Sequence, residues 1–175
     1  MFQPCLMNSA PPDTLDSSAT ADSPATARDV ARGIMRLFAR NDIWCLPEVA
    51  LPNGRRADLM GVDAKGLIVI VEIKVARGDL LGDSKWPDYL DYCDRFFWGV
   101  SPALDRGPLN GEAYKPDSCG VIVGDGYDAE ILRHAPLDPL APARRKAQME
   151  RLARMAMRRH TATLDPHCND PVNAG

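Results

Sequence analysis

Residues 67–75 read Leu67-Ile68-Val69-Ile70-Val71-Glu72-Ile73-Lys74-Val75, and this stretch decides the fold. Six of the nine are Val or Ile, and only Glu72 and Lys74 are polar. A short β-branched run, apolar on both faces, is the pattern of a central strand covered on either side. Side chains alternate along a strand, so Glu72 and Lys74 share one face. An acid and a base in such a strand are costly to bury without partners. Two explanations stand: a mutual salt bridge at a strand end, or a metal-dependent active site.

The flanking turns bear on that choice. Asp63-Ala64-Lys65-Gly66 is a turn signal, with Gly66 free to take a positive φ. A turn centred on Lys65 pairs its two strands antiparallel and sets Asp58 opposite Glu72. Opposed carboxylates repel, which favours a cation between them over a purely structural origin. A second turn, Pro52-Asn53-Gly54, joins residues 43–51 to residues 55–62 through the strong hairpin dipeptide Asn-Gly. Folding back there brings Glu48 within about one residue of the position across from Asp58. Glu48, Asp58 and Glu72 thus converge with Lys74 from neighbouring strands. Such an oxygen-rich set suits Mg²⁺ or Mn²⁺ rather than zinc.

Composition sets the bounds. A chain of 175 residues, 26% charged and with net charge −3, describes one ordinary soluble domain. No apolar run is long enough to span a membrane, and the N-terminus lacks the pattern of a signal peptide. Cys5, Cys45, Cys93, Cys119 and Cys168 are scattered without C-x-x-C spacing. That usage predicts reduced thiols in a cytoplasmic protein. His160, His167 and Cys168 lie close in sequence, within what reads as a tail.

Along the chain, residues 1–22 carry no periodic apolar pattern and read as disordered. Ser23-Pro24 predicts the start of a helix whose Val30, Ile34, Leu37 and Phe38 face the sheet. Arg28, Arg32, Arg36 and Arg40 recur every four residues on another side, as a solvated face or a DNA-backbone contact. Beyond Val75, Asp79 or Asp83 is a candidate helix cap. Residues 87–94 read as a helix of their own, and Phe96–Val100 as a strand. Residues 101–115 read as a loop, and residues 119–134 as a final hairpin. A last helix over residues 140–159 is expected to face inward through Met149, Leu152 and Ala156. It carries six arginines and Lys146 against the single acid Glu150. Its Arg144, Arg145 and Lys146 are candidate DNA contacts, with a solvated face as the alternative. Tyr127 and Trp98 are equally candidates for core and for base stacking. Residues 161–175 read as a frayed tail, which leaves 23–160 as the folded domain.

Glu48, Arg55-Arg56-Ala57-Asp58, Val71-Glu72-Ile73-Lys74 and Asp83-Ser84-Lys85-Trp86-Pro87-Asp88-Tyr89 together resemble a PD-(D/E)XK-type nuclease, and more narrowly the MmcB family of bacterial DNA-repair proteins. Ala57 stands where the superfamily motif's name expects Pro, a residue with no chemical role of its own. The resemblance implies an α/β, restriction-endonuclease-like mixed central sheet flanked by helices, and a role in repair of damaged or branched DNA. On this reading Asp58, Glu72 and the Ile73 carbonyl hold the divalent ion, with Glu48 binding directly or through water. Lys74 is expected to orient water or stabilise the transition state. Lys85 and Arg56 are candidate phosphate contacts, Lys85 equally a plain surface lysine. Other readings are a DNA-binding module without cleavage and a protein-interaction scaffold. A homodimer is compatible with each.

Overall fold

The computed structural model describes residues 24–169. The expectations for residues 1–22, for Ser23 as a cap and for residues 170–175 therefore lie outside the described residues. The first helix, α1, is Ala27–Arg40, and its cap is Thr26. The Thr26 side chain accepts the Asp29 N–H, while the Asp29 carboxylate accepts the Thr26 N–H.

Three antiparallel strands follow in sequence order. They are β1 (Ile43–Ala50), β2 (Arg56–Asp63) and β3 (Ile68–Lys74). Gly54 and Gly66 take φ of 79° and 78° in the two turns, as those turns require. Every residue of β3 is buried, in keeping with its unbroken apolar character. A short helix, α2 (Arg77–Gly82), comes next, and its cap is Ala76 rather than either aspartate. The segment after it is a 3₁₀ helix over Trp86–Tyr92, with Pro87 in its first turn.

Beyond that lie β4 (Arg95–Val100), β5 (Cys119–Gly124) and β6 (Ala129–Arg133). The intervening loop carries two 3₁₀ turns, Gly107–Asn110 and Glu112–Tyr114. Strands β3, β4 and β5 are parallel, and β6 returns antiparallel through an irregular register. The result is a six-stranded mixed sheet in the order β1-β2-β3-β4-β5-β6, flanked by helices. This α/β architecture is consistent with a restriction-endonuclease-like arrangement.

The last helix, α3, is Pro142–Leu164. It runs past His160, and a 3₁₀ turn Pro166–Asn169 follows, so the expected tail is helical in its first part. Gln148 and Leu152 are its buried residues, whereas Met149 is 38% exposed and Ala156 lies on the surface. The inward face is thus rotated from the expected one.

Two apolar clusters hold helices to the sheet. Val30, Ile34 and Phe38 of α1 pack on Leu59, Val71, Phe97 and Ile122. On the other side Trp98 is fully buried, with the rings of Trp86, Phe96 and Tyr114 centred 5.2–5.6 Å away. Trp98 is therefore core, while Tyr127 is 83% exposed. Asp94, fully buried, accepts the Ile68 and Leu140 N–H groups and the Arg145 guanidinium, and so fastens the approach to α3 onto β3.

Candidate active site

The β2–β3 ladder runs from Val62↔Ile68 to Leu59↔Val71 and stops there. Asp58 and Glu72 are the next positions in that register, as the turn at Lys65 predicts. At this point Asp58 Oδ2 accepts the Ile73 N–H at 2.7 Å. Burial raises the Asp58 pKa against the lowering effect of that bond.

Glu72 and Lys74 meet on one face, Lys74 Nζ donating to Glu72 Oε1 at 3.2 Å. Lys74 is also 2.8 Å from Asp83 Oδ2 and 3.7 Å from Asp79 Oδ1. Both aspartates, candidate helix caps by sequence, instead face the lysine. Asp83 uses its other oxygen on the Lys85 N–H, an Asx turn that fixes the carboxylate. Burial alone would lower the Lys74 pKa, but the Asp83 bond and the Glu72 charge outweigh it and the value rises. Glu72 is pushed up to about 7, by burial first and then by the Asp58 charge, with Lys74 opposing. Its Oε2 is buried and has no hydrogen-bond partner among the described residues. The Tyr89 hydroxyl donates to the Arg56 carbonyl at 3.1 Å. Burial, then the nearby Glu72 charge, raises the pKa of that phenol.

Glu48 falls across from Asp58 in the β1–β2 register, between Pro47↔Leu59 and Val49↔Ala57. Its φ of 50° breaks the ladder at that residue. Successive carbonyls of a regular strand point to opposite edges. Here both Pro47 and Glu48 carbonyls accept from one guanidinium, that of Arg159, at 2.6 and 3.0 Å. The Glu48 carboxylate is exposed, 3.7 Å from Arg56.

The candidate basic residues separate into distinct roles. Arg145 is bound to buried Asp94, so its guanidinium ties the start of the last helix to the sheet. Arg144 pairs with Asp91 and Lys146 with Glu150, all exposed. Lys85 is exposed, its backbone N–H on Asp83. On α1, Arg36 donates to the Gly126 and Tyr127 carbonyls and Arg40 pairs with Asp128. Arg28 and Arg32 instead line a cleft of about 650 Å³ together with Met35, Glu48, Asp58 and Arg159. Ile73 also lines it, whereas Glu72 and Lys74 do not.

Among the described residues, no three His, Cys, Asp or Glu side chains cluster tightly enough to hold a metal ion. Mg²⁺ asks for less, since it keeps several waters and takes one or two carboxylates. Two mutually repelling acids, one with an unpartnered buried oxygen, fit that requirement. Asp58, Glu72, the Ile73 carbonyl and Glu48 are hard oxygen donors of the kind that could hold such an ion.

No helix among the described residues is long and apolar enough to cross a membrane. No curated protein matches the chain. A solved structure of a protein of unknown function from Silicibacter pomeroyi is similar at 35% identity, covering 87% of this chain and 98% of that one, with a TM-score of 0.73. The model of a family described as DNA repair protein MmcB-like matches residues 15–167. With nearly the whole chain inside that match, and the sheet carrying Asp58, Glu72 and Lys74 together at one strand end, this protein belongs to the MmcB-like family of DNA repair proteins.

Proposed function

We propose that the chain is a divalent-metal-dependent deoxyribonuclease of the PD-(D/E)XK type, hydrolysing phosphodiester bonds in damaged or branched DNA. The observation that carries this is the buried, unpartnered Oε2 of Glu72 beside the Asp58 carboxylate, with Lys74 on the same strand face. Repelling carboxylates at a sheet's broken ladder are poor structural elements and good cation ligands.

Asp58, Glu72 and the Ile73 carbonyl would hold Mg²⁺ or Mn²⁺. Such an ion lowers the pKa of a bound water and neutralises phosphate charge. Lys74 places a positive charge beside the acids, and Asp83 keeps it there. Its ammonium has three N–H donors, two of them directed at Glu72 and Asp83. The third, with Asp79 no nearer than 3.7 Å, would serve an attacking water or a phosphoryl oxygen, stabilising developing negative charge. Arg56 and Lys85, both exposed, supply phosphate contacts at the rim.

The test is incubation of purified protein with Mn²⁺ and a panel of linear, nicked, flapped, branched and crosslinked DNAs, with Asp58→Asn as control. Metal-dependent cutting by the wild type alone supports the reading; no cutting of any substrate sinks it. A second reading, a DNA-binding module without cleavage, draws support from the engagement of Lys74 by three carboxylates. It expects DNA binding with no product on any substrate.

A further inference from the structure

We infer that the cleft between α1 and the end of α3 binds single-stranded DNA in preference to duplex, and delivers it to Asp58. This rests on the nuclease reading for its purpose, though not for its chemistry.

Four observations carry it. The first is charge. Arg28 and Arg159 line the cleft and have no carboxylate partner among the described residues. Arg159 spends its donors on the uncharged carbonyls of Pro47 and Glu48 and pairs with no carboxylate, so the three arginines of the cleft outnumber its two acids, Glu48 and Asp58. Arg32 has only Asp29, at 3.7 Å and half exposed. Exposed pairs of that kind yield readily to a phosphate.

The second is the division of labour along α1. Four arginines share its surface, but Arg36 and Arg40 are spent on the β5–β6 turn. The two left over are the two in the cleft. The third is the surface between them. Ala27, Ala31 and Met35 recur every four residues and present an apolar strip to the cleft. Guanidiniums beside an apolar surface are what a strand with unpaired bases needs: cations for its backbone and a dry face for its bases. Paired bases in a duplex have no such face to offer.

The fourth is size and position. About 650 Å³ lies within the range of sites that hold small ligands, so the cleft takes one or two nucleotides and is too small to enclose a double helix. The lining includes Asp58 and Ile73, the two residues joined by the bond that ends the β2–β3 ladder. A strand in the cleft would therefore pass the acid that the proposed chemistry requires. Flaps, gaps and frayed ends present such strands.

Fluorescence anisotropy on the full chain in EDTA tests this with labelled oligo(dT) and a blunt duplex of equal length. The wild type should hold the single strand at least tenfold more tightly. The double variant Arg28→Gln, Arg32→Gln should lose about tenfold of that affinity. Its log–log salt slope should fall by about 1.4, or roughly 0.7 for each phosphate contact removed from a single strand. Lys65→Gln, at the tip of the β2–β3 turn, should change neither. Melting curves confirm that the variants fold; if the double variant does not, Arg28→Gln alone should still lower the slope by about 0.7. Equal affinity for duplex, or an unchanged slope in a folded variant, overturns the inference. A wild type that holds oligo(dT) through these arginines but never cuts DNA with Mn²⁺ supports the inference and removes the nuclease reading.

Discussion

Asp58 Oδ2 accepts the Ile73 backbone N–H at 2.7 Å where the β2–β3 ladder ends. A side chain has taken the place of a strand neighbour, and the bond offsets part of the upward pull of burial on the Asp58 pKa. The same contact keeps Asp58 beside the Glu72–Lys74 pair, so the local break in the sheet builds the site.

Glu72→Gln is expected to stabilise the metal-free protein above neutrality. The Glu72 pKa of about 7 lies above its ordinary 4.5, so its favourable contribution is complete below 4.5 and lost as pH rises through 7. Melting temperatures across that window should fall for the wild type relative to the variant. Parallel curves would show that Glu72 ionises freely in the fold.

Mn²⁺ should raise the melting temperature of the wild type and leave Asp58→Asn and Glu72→Ala unmoved. At a hundredfold excess over Kd the gain is about 2.7 kcal/mol, or roughly 5–11 °C for a chain of this size. A wild type indifferent to the ion would make the acids structural.

Lys74→Ala should retain or tighten metal binding, because a competing cation is gone, while turnover falls by about 10²–10³-fold. Asp83→Asn should act in the same direction more weakly, by loosening Lys74 from its 2.8 Å partner. Comparing kcat with Mn²⁺ affinity separates these effects. Loss of both together in Lys74→Ala would mean that the lysine organises the acids and takes no part in turnover.

Much of this site is legible in residues 43–75. Gly54 and Gly66 fix the two turns, the turns fix the register, and the register places Glu48 and Glu72 on either side of Asp58. What the pattern cannot carry is direction off the sheet. Asp79 and Asp83 sit on and after a short helix, and their approach to Lys74 depends on how that helix packs. Arg145 reads as one more surface arginine because its partner, Asp94, lies 51 positions away. Likewise, the even row of arginines on α1 divides only once the β5–β6 turn is seen against its second half.

Asp94→Asn should destabilise by less than the about 3–5 kcal/mol of a fully buried ion pair, because Arg145 keeps 28% of its side chain in solvent. Burial would raise the Asp94 pKa, but Arg145 and the Ile68 and Leu140 N–H groups lower it overall. Its contribution is therefore present above the ordinary 3.8 and lost as pH falls through the folded value. The variant should show a shallower acid limb in its stability curve; an unchanged limb would assign acid unfolding to other carboxylates.

Gly33→Ala should destabilise by about 1–3 kcal/mol through overpacking. A β-carbon there would collide with the carbonyl oxygens of Asp128 and Asp125, and backbone cannot step aside cheaply. In an open helix the same change would help by roughly 1 kcal/mol, so a rise in melting temperature would show that α1 can slide away from the β5–β6 turn.

The grip of Arg159 on the Pro47 and Glu48 carbonyls also concerns how copies of this chain meet one another. Strand β1 is an outer strand, and outer strands invite a neighbour's backbone to continue the sheet. Here the kink at Glu48 spoils the regular row of acceptors, and a bulky cation already occupies two of them. Self-association by sheet extension along β1 would first have to pull α3 away. Loss of the last turns of that helix should accordingly show up as turbidity on storage sooner than as a changed fold.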